Sequence, residues 1–364
     1  MPLSNVNPDA YSALLEEKVA KVKTLLLPYS PPPPLVVESS PTAFRLRAEF
    51  RMWHEGDELS YVMFRKGDPK TPVPIEVFPI ACLDLQLLMP RLQSRLKANA
   101  LLRQKLFQVE FLSTLAGDTL ITLIYHRKLD EEWDKQARLL ASELKVEIVG
   151  RSRKQKRILA RDYVEESLPI NNRTYCYRQY EQAFTQPNGR VNIRMIEWAC
   201  ECTAELEGDL LELYCGNGNF TLPLAEHFNQ VIATELSKTS IRAARENLES
   251  NGIKNVQMVR LSAEEVTQAM GGERTFRRLA DLPQELADYQ LKTVFVDPPR
   301  AGLDSGTEKM VATFDSIIYI SCNPETLARN LASLSGSHRI EKFALFDQFP
   351  YTEHMECGVL LIKN

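Results

Sequence analysis

The segment ELYCGNGNF at residues 212–220 decides the fold class, because it places a glycine loop between a strand and a helix. An apolar run at residues 210–213 predicts the strand, and residues 221–227 have the pattern of a helix. Gly216 and Gly218 leave the loop backbone open to a ligand. The third glycine of a dinucleotide fingerprint is missing, so the loop does not indicate an NAD site.

Strands alternate with helices on the C-terminal side of this loop. Further strands are predicted at residues 230–233, 256–260, 293–296, 316–320 and 359–362. A helix is predicted at residues 238–250, where Asn251-Gly252 ends it. This alternation is typical of a parallel sheet, so we predict an α/β fold from about residue 186 onward.

The two halves of the chain carry opposite charge. A length of 364 residues predicts two domains of about 150 to 200 residues each. Residues 1–180 hold 27 Lys and Arg against 22 Asp and Glu, a net charge of +5, and residues 181–364 have a net charge of −9. We therefore expect contact with nucleic acid in the domain at 1–180 and place the α/β domain at 181–364.

The N-terminal domain is predicted to be mixed and rich in sheet. It starts with a helix at residues 11–27 and a proline-rich linker at residues 28–34. Residues 82–107 have the pattern of one long basic helix. The strands are predicted at residues 43–53, 59–65, 108–115 and 119–126. A solvated surface is the alternative interpretation of the basic clusters.

The cysteines indicate a reducing compartment. Cys82, Cys176, Cys200, Cys202, Cys215, Cys322 and Cys357 are odd in number and include no CxxC pair. We expect no leader peptide, and no apolar run approaches the roughly 18 residues of a membrane span. These features predict a soluble cytoplasmic protein that does not bind membranes.

Two acidic residues follow predicted strands of the α/β domain. Glu235 comes about twenty residues after the glycine loop, where a carboxylate can accept both hydroxyls of a ribose. A helix-capping or surface glutamate is the alternative. Asp297 precedes Pro298 and Pro299, which hold the chain extended at the mouth of the fold. This segment is either a rigid functional loop or a plain connection.

Cys322 and Glu356 are the candidate catalytic residues. Cys322 follows a hydrophobic strand at the sheet edge that binds ligands in doubly wound folds. An inert core thiol is the alternative. Glu356 ends a loop rich in titratable groups, and a solvated loop carboxylate is its alternative. His354 and Cys357 fit no usual zinc spacing, so we expect no metal.

With these segments assembled, the chain resembles the tRNA (uracil-5-)-methyltransferase family, which forms ribothymidine in the T-loop. The motifs that carry the resemblance are ELYCGNGNF (212–220), FVDPPRAGLD (295–304), YISCNPETLARNL (319–331) and FPYTEHMECGVLL (349–361). The resemblance implies a Rossmann-like S-adenosylmethionine-dependent methyltransferase domain behind an RNA-binding domain. It also implies tRNA, through its T-arm, as the partner.

The resemblance assigns roles to individual residues. It implies that Cys322 is the nucleophile and Glu356 the general base. It also implies that the S-adenosylmethionine site is formed by Gln186, Tyr214, Gly216, Gly218, Asn219, Glu235 and Asp297. Uracil methylation at carbon 5 needs such a pair, because a thiolate at carbon 6 activates the ring and a base must then remove the carbon-5 proton.

Two alternatives remain from the sequence. Related ribosomal RNA enzymes share the catalytic half, and some carry an iron–sulfur centre. No cysteine precedes Cys82 here to complete a four-cysteine set, which favours the tRNA branch without such a cluster. The other alternative is an RNA-binding or RNA-folding protein with an incidental methyltransferase fold. We expect a monomer.

The target uridine must be drawn out of a stacked loop, and planar side chains are suited to fill the space it leaves. Phe107 and His126 are the candidates in the basic half, with Arg51 for a phosphate. The alternative interpretation makes Phe107 a core residue and His126 an ordinary surface group.

Overall fold

The computed structural model describes residues 6–65 and 67–364, so residues 1–5 and Lys66 of the predicted first domain lie outside it. The chain divides into two compact units. The described part of the first unit comprises residues 6–10, Ser40–Ser167 without Lys66, and Arg178–Gly189. The second comprises Tyr11–Ser39, Leu168–Tyr177 and Arg190–Asn364.

Regular elements occur throughout both units. The helices are α1 (Tyr11–Leu26), α2 (Leu83–Ala98), α3 (Ala100–Arg103), α4 (Glu131–Leu144), α5 (Gly189–Thr203), α6 (Thr221–Leu224), α7 (Lys238–Ser250), α8 (Ala263–Met270), α9 (Ser305–Val311) and α10 (Pro324–Leu334). The strands of the N-terminal half are β1 (Leu35–Val37), β2 (Arg47–Glu55), β3 (Glu58–Arg65), β4 (Asp68–Pro74), β5 (Leu106–Ser113), β6 (Thr119–Tyr125), β7 (Glu147–Ser152), β8 (Gln155–Ile158), β9 (Tyr163–Ile170) and β10 (Arg173–Tyr180). Those of the C-terminal half are β11 (Asp209–Leu213), β12 (Val231–Thr234), β13 (Val256–Val259), β14 (Leu291–Val296), β15 (Ser316–Ser321), β16 (His338–Phe346) and β17 (Glu356–Lys363).

The first unit is built on a mixed sheet with the order β4-β3-β2-β5-β6-β7-β8. Its strands pair antiparallel except for β6 with β7, which α4 connects as a crossover. Asp130 caps α4 by accepting a hydrogen bond from the backbone N–H of Trp133, whose side chain is fully buried. The predicted sheet-rich body is therefore present.

The long helix predicted at residues 82–107 is wrong in its C-terminal part. Helix α2 ends at Ala98, because the side chain of Asn99 accepts hydrogen bonds from the backbone N–H groups of Leu101 and Leu102 and starts a new short helix. The chain then enters β5 at Leu106, within the predicted helix.

The second unit contains the α/β sheet, with the order β1-β16-β17-β15-β14-β11-β12-β13. Strands β11 to β15 are parallel, and β17 pairs antiparallel with both β15 and β16. Strands β11, β12 and β15 are buried along their whole length, which explains their continuous apolar sequences.

The N-terminal segment also belongs to the second unit, which differs from the predicted division at residue 180. Strand β1 adds to the sheet beside β16, with Val37 paired to Phe346. Helix α1 packs against α10. These contacts join residues more than 300 positions apart, so local sequence patterns do not reveal them. Among the described residues, no helix is long and apolar enough to cross a membrane.

Candidate active site

The predicted cofactor and catalytic residues of the second unit lie at one edge of its sheet. Tyr214, Glu235, Asp297 and Cys322 each follow directly after the last residue of β11, β12, β14 and β15. These parallel strands are in register, since Leu213 pairs with both Thr234 and Val296.

The antiparallel strand β17 adds the remaining catalytic candidate to this edge. Glu356 is its first residue, and Cys357 pairs with Ser321 directly before Cys322. The topology therefore brings the predicted nucleophile and the predicted base together from segments 34 residues apart.

The glycine loop is held in a left-handed conformation. Tyr214, Gly216 and Gly218 have φ angles of 60°, 57° and 86°. A Cβ at Gly218 would lie 2.7 Å from Cδ1 of Leu222, whereas nothing lies within 4 Å of a Cβ at Gly216. Gly218 therefore permits close packing of α6, and Gly216 borders open space that a ligand can enter.

Glu235 is fixed beside the glycine loop by backbone donors. Its Oε1 accepts hydrogen bonds from the N–H groups of Leu236 and Ser237, both at 2.7 Å, and its Oε2 accepts one from Gly216 at 3.1 Å. A carboxylate has about four lone-pair sites, so it can still accept hydroxyl groups. This geometry suits recognition of a ribose.

Asn219 is held by a residue that the sequence reasoning missed. Asn192 of α5 donates to Oδ1 of Asn219 at 2.8 Å, and Asn219 donates back to Oδ1 of Asn192 at 2.9 Å. The hydroxyl of Tyr177 donates to the backbone oxygen of Asn219 at 3.1 Å. Each paired amide keeps one N–H and one lone pair for a ligand. No local motif marks Asn192, because the pair forms only when α5 packs beside the loop.

Three acidic residues at the sheet edge have little contact with water, since Glu212 and Glu356 are buried and Asp297 is partly buried. Burial raises the pKa of Asp297 to about 7. Burial, reinforced by the negative charge of Asp297, raises the pKa of Glu356 to about 8. Burial also raises the pKa of Glu212 on β11 to about 8. Such raised values make carboxyl groups able to hold or accept a proton near neutral pH.

Cys322 is a half-buried thiol beside these acids. Burial raises its pKa to about 11, and the charges of Glu356 and Asp297 add to the effect. The chain turns directly after it, because Asn323 caps α10 by accepting a hydrogen bond from the N–H of Glu325 at 3.1 Å. At neutral pH the free protein therefore holds Cys322 as a thiol.

The polar groups of this edge fit S-adenosylmethionine. Both carboxylate oxygens of the buried Glu212 lack a hydrogen-bond partner among residues 6–65 and 67–364. A buried carboxylate without a partner is costly, which agrees with the raised pKa of Glu212. Glu235 and the glycine loop suit the nucleoside part. Gln186 belongs to the first unit, and its place in the site stays a prediction.

The three predicted RNA-binding residues of the first unit form one stack. The rings of Phe107 and His126 lie face to face, with centroids 4.0 Å apart and an interplanar angle of 27°. The guanidinium carbon of Arg51 lies 3.9 Å from the centroid of Phe107. Phe107 is half-buried, whereas Arg51 and His126 are exposed. The stack is therefore a planar, cationic feature of the surface of this unit.

The second unit has the architecture of a Rossmann-like methyltransferase, with a glycine loop after the first central strand and an acidic residue after the next. The model of the family described as tRNA (Uracil-5-)-methyltransferase matches residues 10–364. The chain belongs to this family, as its motifs predicted.

Curated relatives and a solved structure support the same assignment. A "tRNA/tmRNA (uracil-C(5))-methyltransferase" of Stutzerimonas stutzeri is 54% identical over 364 residues and covers 100% of both chains. A protein with the same name from Ectopseudomonas mendocina is 56% identical over 358 residues and covers 98% of both chains. The Pyrococcus abyssi tRNA (uracil-54, C5)-methyltransferase, solved in complex with S-adenosyl-L-homocysteine, has a TM-score of 0.73 at 21% identity, covering 97% of this chain and 83% of that one.

These comparisons confirm the predicted family and fold class. The names of the relatives favour the tRNA branch over the ribosomal RNA alternative. They do not test the roles predicted for individual residues, which are taken up as proposals below.

Proposed function

We propose that this protein transfers a methyl group from S-adenosylmethionine to carbon 5 of the T-loop uridine at position 54 of tRNA, through a covalent adduct of Cys322. The observation that carries the proposal is the convergence of Cys322, Glu356 and Asp297 at the strand ends next to the glycine loop. We also propose tmRNA as a substrate of the same chemistry, which the names of the relatives support.

The reaction follows from the chemistry of the two catalytic residues. When bound, S-adenosylmethionine supplies an electrophilic methyl group. Cys322 gives its proton to water, and the resulting thiolate sulfur bonds to carbon 6 of the uracil, which places electron density on carbon 5. After carbon 5 has gained the methyl group, Glu356 accepts the proton from that carbon. The electron pair left by the proton forms the ring double bond, and the carbon–sulfur bond breaks to return the thiolate.

The raised pKa of Glu356 strengthens its ionised form as a base, and this form predominates above its pKa of about 8. A carboxylate with a pKa of about 8 binds a proton more strongly than an ordinary glutamate does. Its burial excludes water, so the proton on carbon 5 meets this carboxylate rather than solvent. The charge of Asp297, which follows β14 on the far side of β15, supports the basicity of Glu356.

Recognition of the RNA is proposed for the first unit. The stack of Arg51, Phe107 and His126 presents planar surfaces on which bases of an opened T-loop can pack. The first unit holds 23 Lys and Arg against 20 Asp and Glu, and this net charge of +3 attracts the phosphate backbone. We propose that Gln186 completes the cofactor site and that the enzyme acts as a monomer in the cytoplasm.

Substitution of the nucleophile tests this function. The Cys322→Ala variant should lose methyl transfer by at least about 10⁴-fold, because no other group replaces the sulfur in the adduct. The affinity of this variant for unmodified tRNA should stay the same, because we assign Cys322 a role in the chemical step and none in RNA binding. Transfer of labelled methyl groups to tRNA and filter binding measure the two properties.

The matched control is Cys176→Ala, which removes an exposed thiol of the same chain. This control should keep full activity. Turnover that survives in Cys322→Ala would contradict the covalent mechanism.

A further inference from the structure

Helix α1 of the second unit reaches the loop that leads to the proposed base. The loop, residues 347–355, connects β16 and β17 as a hairpin. Phe346 before the loop pairs with Glu356 after it. The position of Glu356 therefore depends on how this hairpin connection is held.

Lys18 of α1 holds the start of the loop by two contacts. Its Nζ forms an ion pair with the carboxylate of Asp347 and donates a hydrogen bond to the backbone oxygen of Phe349 at 3.2 Å. The side chains of Lys18 and Asp347 are only 11% and 1% exposed. Because water screens such a pair little, its attraction is stronger than that of a surface ion pair.

Tyr11, the first residue of the same helix, also contacts the start of the loop. Its hydroxyl accepts a hydrogen bond from the N–H of Ser39 at 2.8 Å and interacts with the carboxylate of Asp347. The N–H of Asp347 donates to the backbone oxygen of Val37 at 2.9 Å. Asp347 is thus tied to the N-terminal segment by both its backbone and its side chain.

The rest of the loop is organised around the same anchor. The backbone oxygen of Phe349 accepts a second hydrogen bond, from Oγ1 of Thr352 at 2.8 Å. Tyr351 has a φ angle of 61°, unfavourable for a tyrosine, and its ring lies 6.0 Å from that of Tyr11. A strained residue persists only where its surroundings fix it, and α1 supplies part of those surroundings.

We propose that Lys18 is a positioning residue that acts through Asp347 to hold Glu356 in place for removal of the carbon-5 proton. This inference rests on the proposed function, in which Glu356 is the base. Cys322 belongs to another segment of the sheet edge, so adduct formation and methyl transfer do not require the anchor. Proton removal does, because a base misplaced by about 1 Å loses much of its rate.

The Lys18→Met variant keeps the length of the side chain and removes its charge, so it breaks the ion pair with Asp347. It therefore tests whether proton removal depends on this contact while methyl transfer does not. In a single turnover with labelled S-adenosylmethionine, methyl transfer should stay near the wild-type rate. Release of methylated tRNA should slow about tenfold, less than the loss of the base itself costs. The delayed species is protein covalently joined to RNA, which a denaturing gel resolves.

Lys21→Met is the matched control, since Lys21 is an exposed lysine on the same helix. It should release product at the wild-type rate. A purely structural role for Lys18 would instead lower the melting temperature and slow methyl transfer and release together, without adduct. That pattern would overturn the inference.

The double variant Lys18→Met with Asp347→Asn serves if the single variant does not fold. This double variant leaves no buried charge without a partner, so it should fold more readily. It also lacks the ion pair, so the covalent adduct of protein and RNA should again accumulate. Glu356→Gln on the same gel is the reference. Adduct in Glu356→Gln but in neither Lys18 variant would overturn only the inference, whereas no adduct in Glu356→Gln would contradict the proposed function as well.

Discussion

The sheet edge of the second unit and the stack on the first unit use polar groups in opposite ways. At the sheet edge, Asp297 and Glu356 are surrounded by other atoms, and burial raises the pKa of both. In the stack, Arg51 and His126 are exposed, and the cation lies over an aromatic ring. The first arrangement changes protonation, whereas the second offers planar surfaces and positive charge.

This difference predicts which measurements respond to substitutions in each region. Changes at the sheet edge should alter chemical steps, because a low-dielectric environment magnifies each charge there. Changes in the stack should alter RNA affinity and leave the chemistry of the bound complex largely unchanged. Four experiments test this division, in order of decreasing expected effect.

The Glu356→Gln variant should lower steady-state turnover by about 10²- to 10⁴-fold, because an amide cannot accept the carbon-5 proton. The block falls after methyl transfer, so protein should accumulate covalently joined to methylated tRNA. A denaturing gel with labelled tRNA measures this species. Normal release of product at a normal rate would show that Glu356 is not the base.

The Phe107→Ala variant should weaken tRNA affinity by about 5- to 100-fold, as expected for the loss of one base-stacking surface. The single-turnover rate at saturating tRNA should change much less. Titration of the rate with tRNA separates KM from the maximal rate. Trp53→Ala removes an exposed aromatic side chain of β2 outside the stack and is the control. A loss of maximal rate at unchanged tRNA affinity would contradict the assignment of RNA binding to the stack and of chemistry to the sheet edge.

The Glu356→Gln substitution should also make Cys322 more reactive toward iodoacetamide at high pH. The Glu356 carboxylate raises the pKa of Cys322 but is charged mainly above its own pKa of about 8, so the effect should appear at pH 9 and be small at pH 6.5. We expect about a threefold faster alkylation at pH 9, since a lower thiol pKa also reduces intrinsic nucleophilicity. A Cys176→Ser background removes the exposed competing thiol. If Cys322 is alkylated at the same rate with and without the Glu356→Gln substitution at both pH 9 and pH 6.5, the two groups do not interact.

The Arg51→Met variant should have the smallest effect, a loss of tRNA affinity of about twofold. The slope of log affinity against log salt should fall by about one if Arg51 neutralises a phosphate. Arg51→Lys keeps the charge and loses the planar contact with Phe107, so it should restore the slope but not the full affinity. An unchanged slope in Arg51→Met would remove the proposed phosphate contact.

Much of the catalytic unit could be predicted from sequence because its signals are local. Each of its signals spans only a few residues. They are a glycine loop after an apolar strand, an acidic residue after each of two further strands, and a cysteine after another strand. Parallel strands place their carboxyl ends at one edge, so this pattern alone implied proximity. The break of the predicted helix at Asn99 was missed, because a capping side chain overrode a favourable helical pattern.

The supporting residues could not be predicted in the same way. Asn192 pairs with Asn219 across 27 positions, and Lys18 reaches Asp347 across 329. No sequence motif marks Asn192 or Lys18. An asparagine or a lysine in a helix is usually an ordinary surface residue, so the pattern around each gives no sign of its contact. The mutual stacking of Phe107 and His126 likewise depends on the pairing of β5 with β6.

The amino-acid sequence by itself determined the family, the α/β class of the C-terminal half and the chemical character of the reacting groups, because these depend on residue identity and short-range spacing. Only the tertiary structure decided that strand β1 joins the C-terminal sheet, that the charge of Asp297 raises the pKa of Glu356 and that Lys18 anchors the loop before Glu356. Burial and charge interaction arise from atoms distant in the chain, so they exist only once the chain has folded.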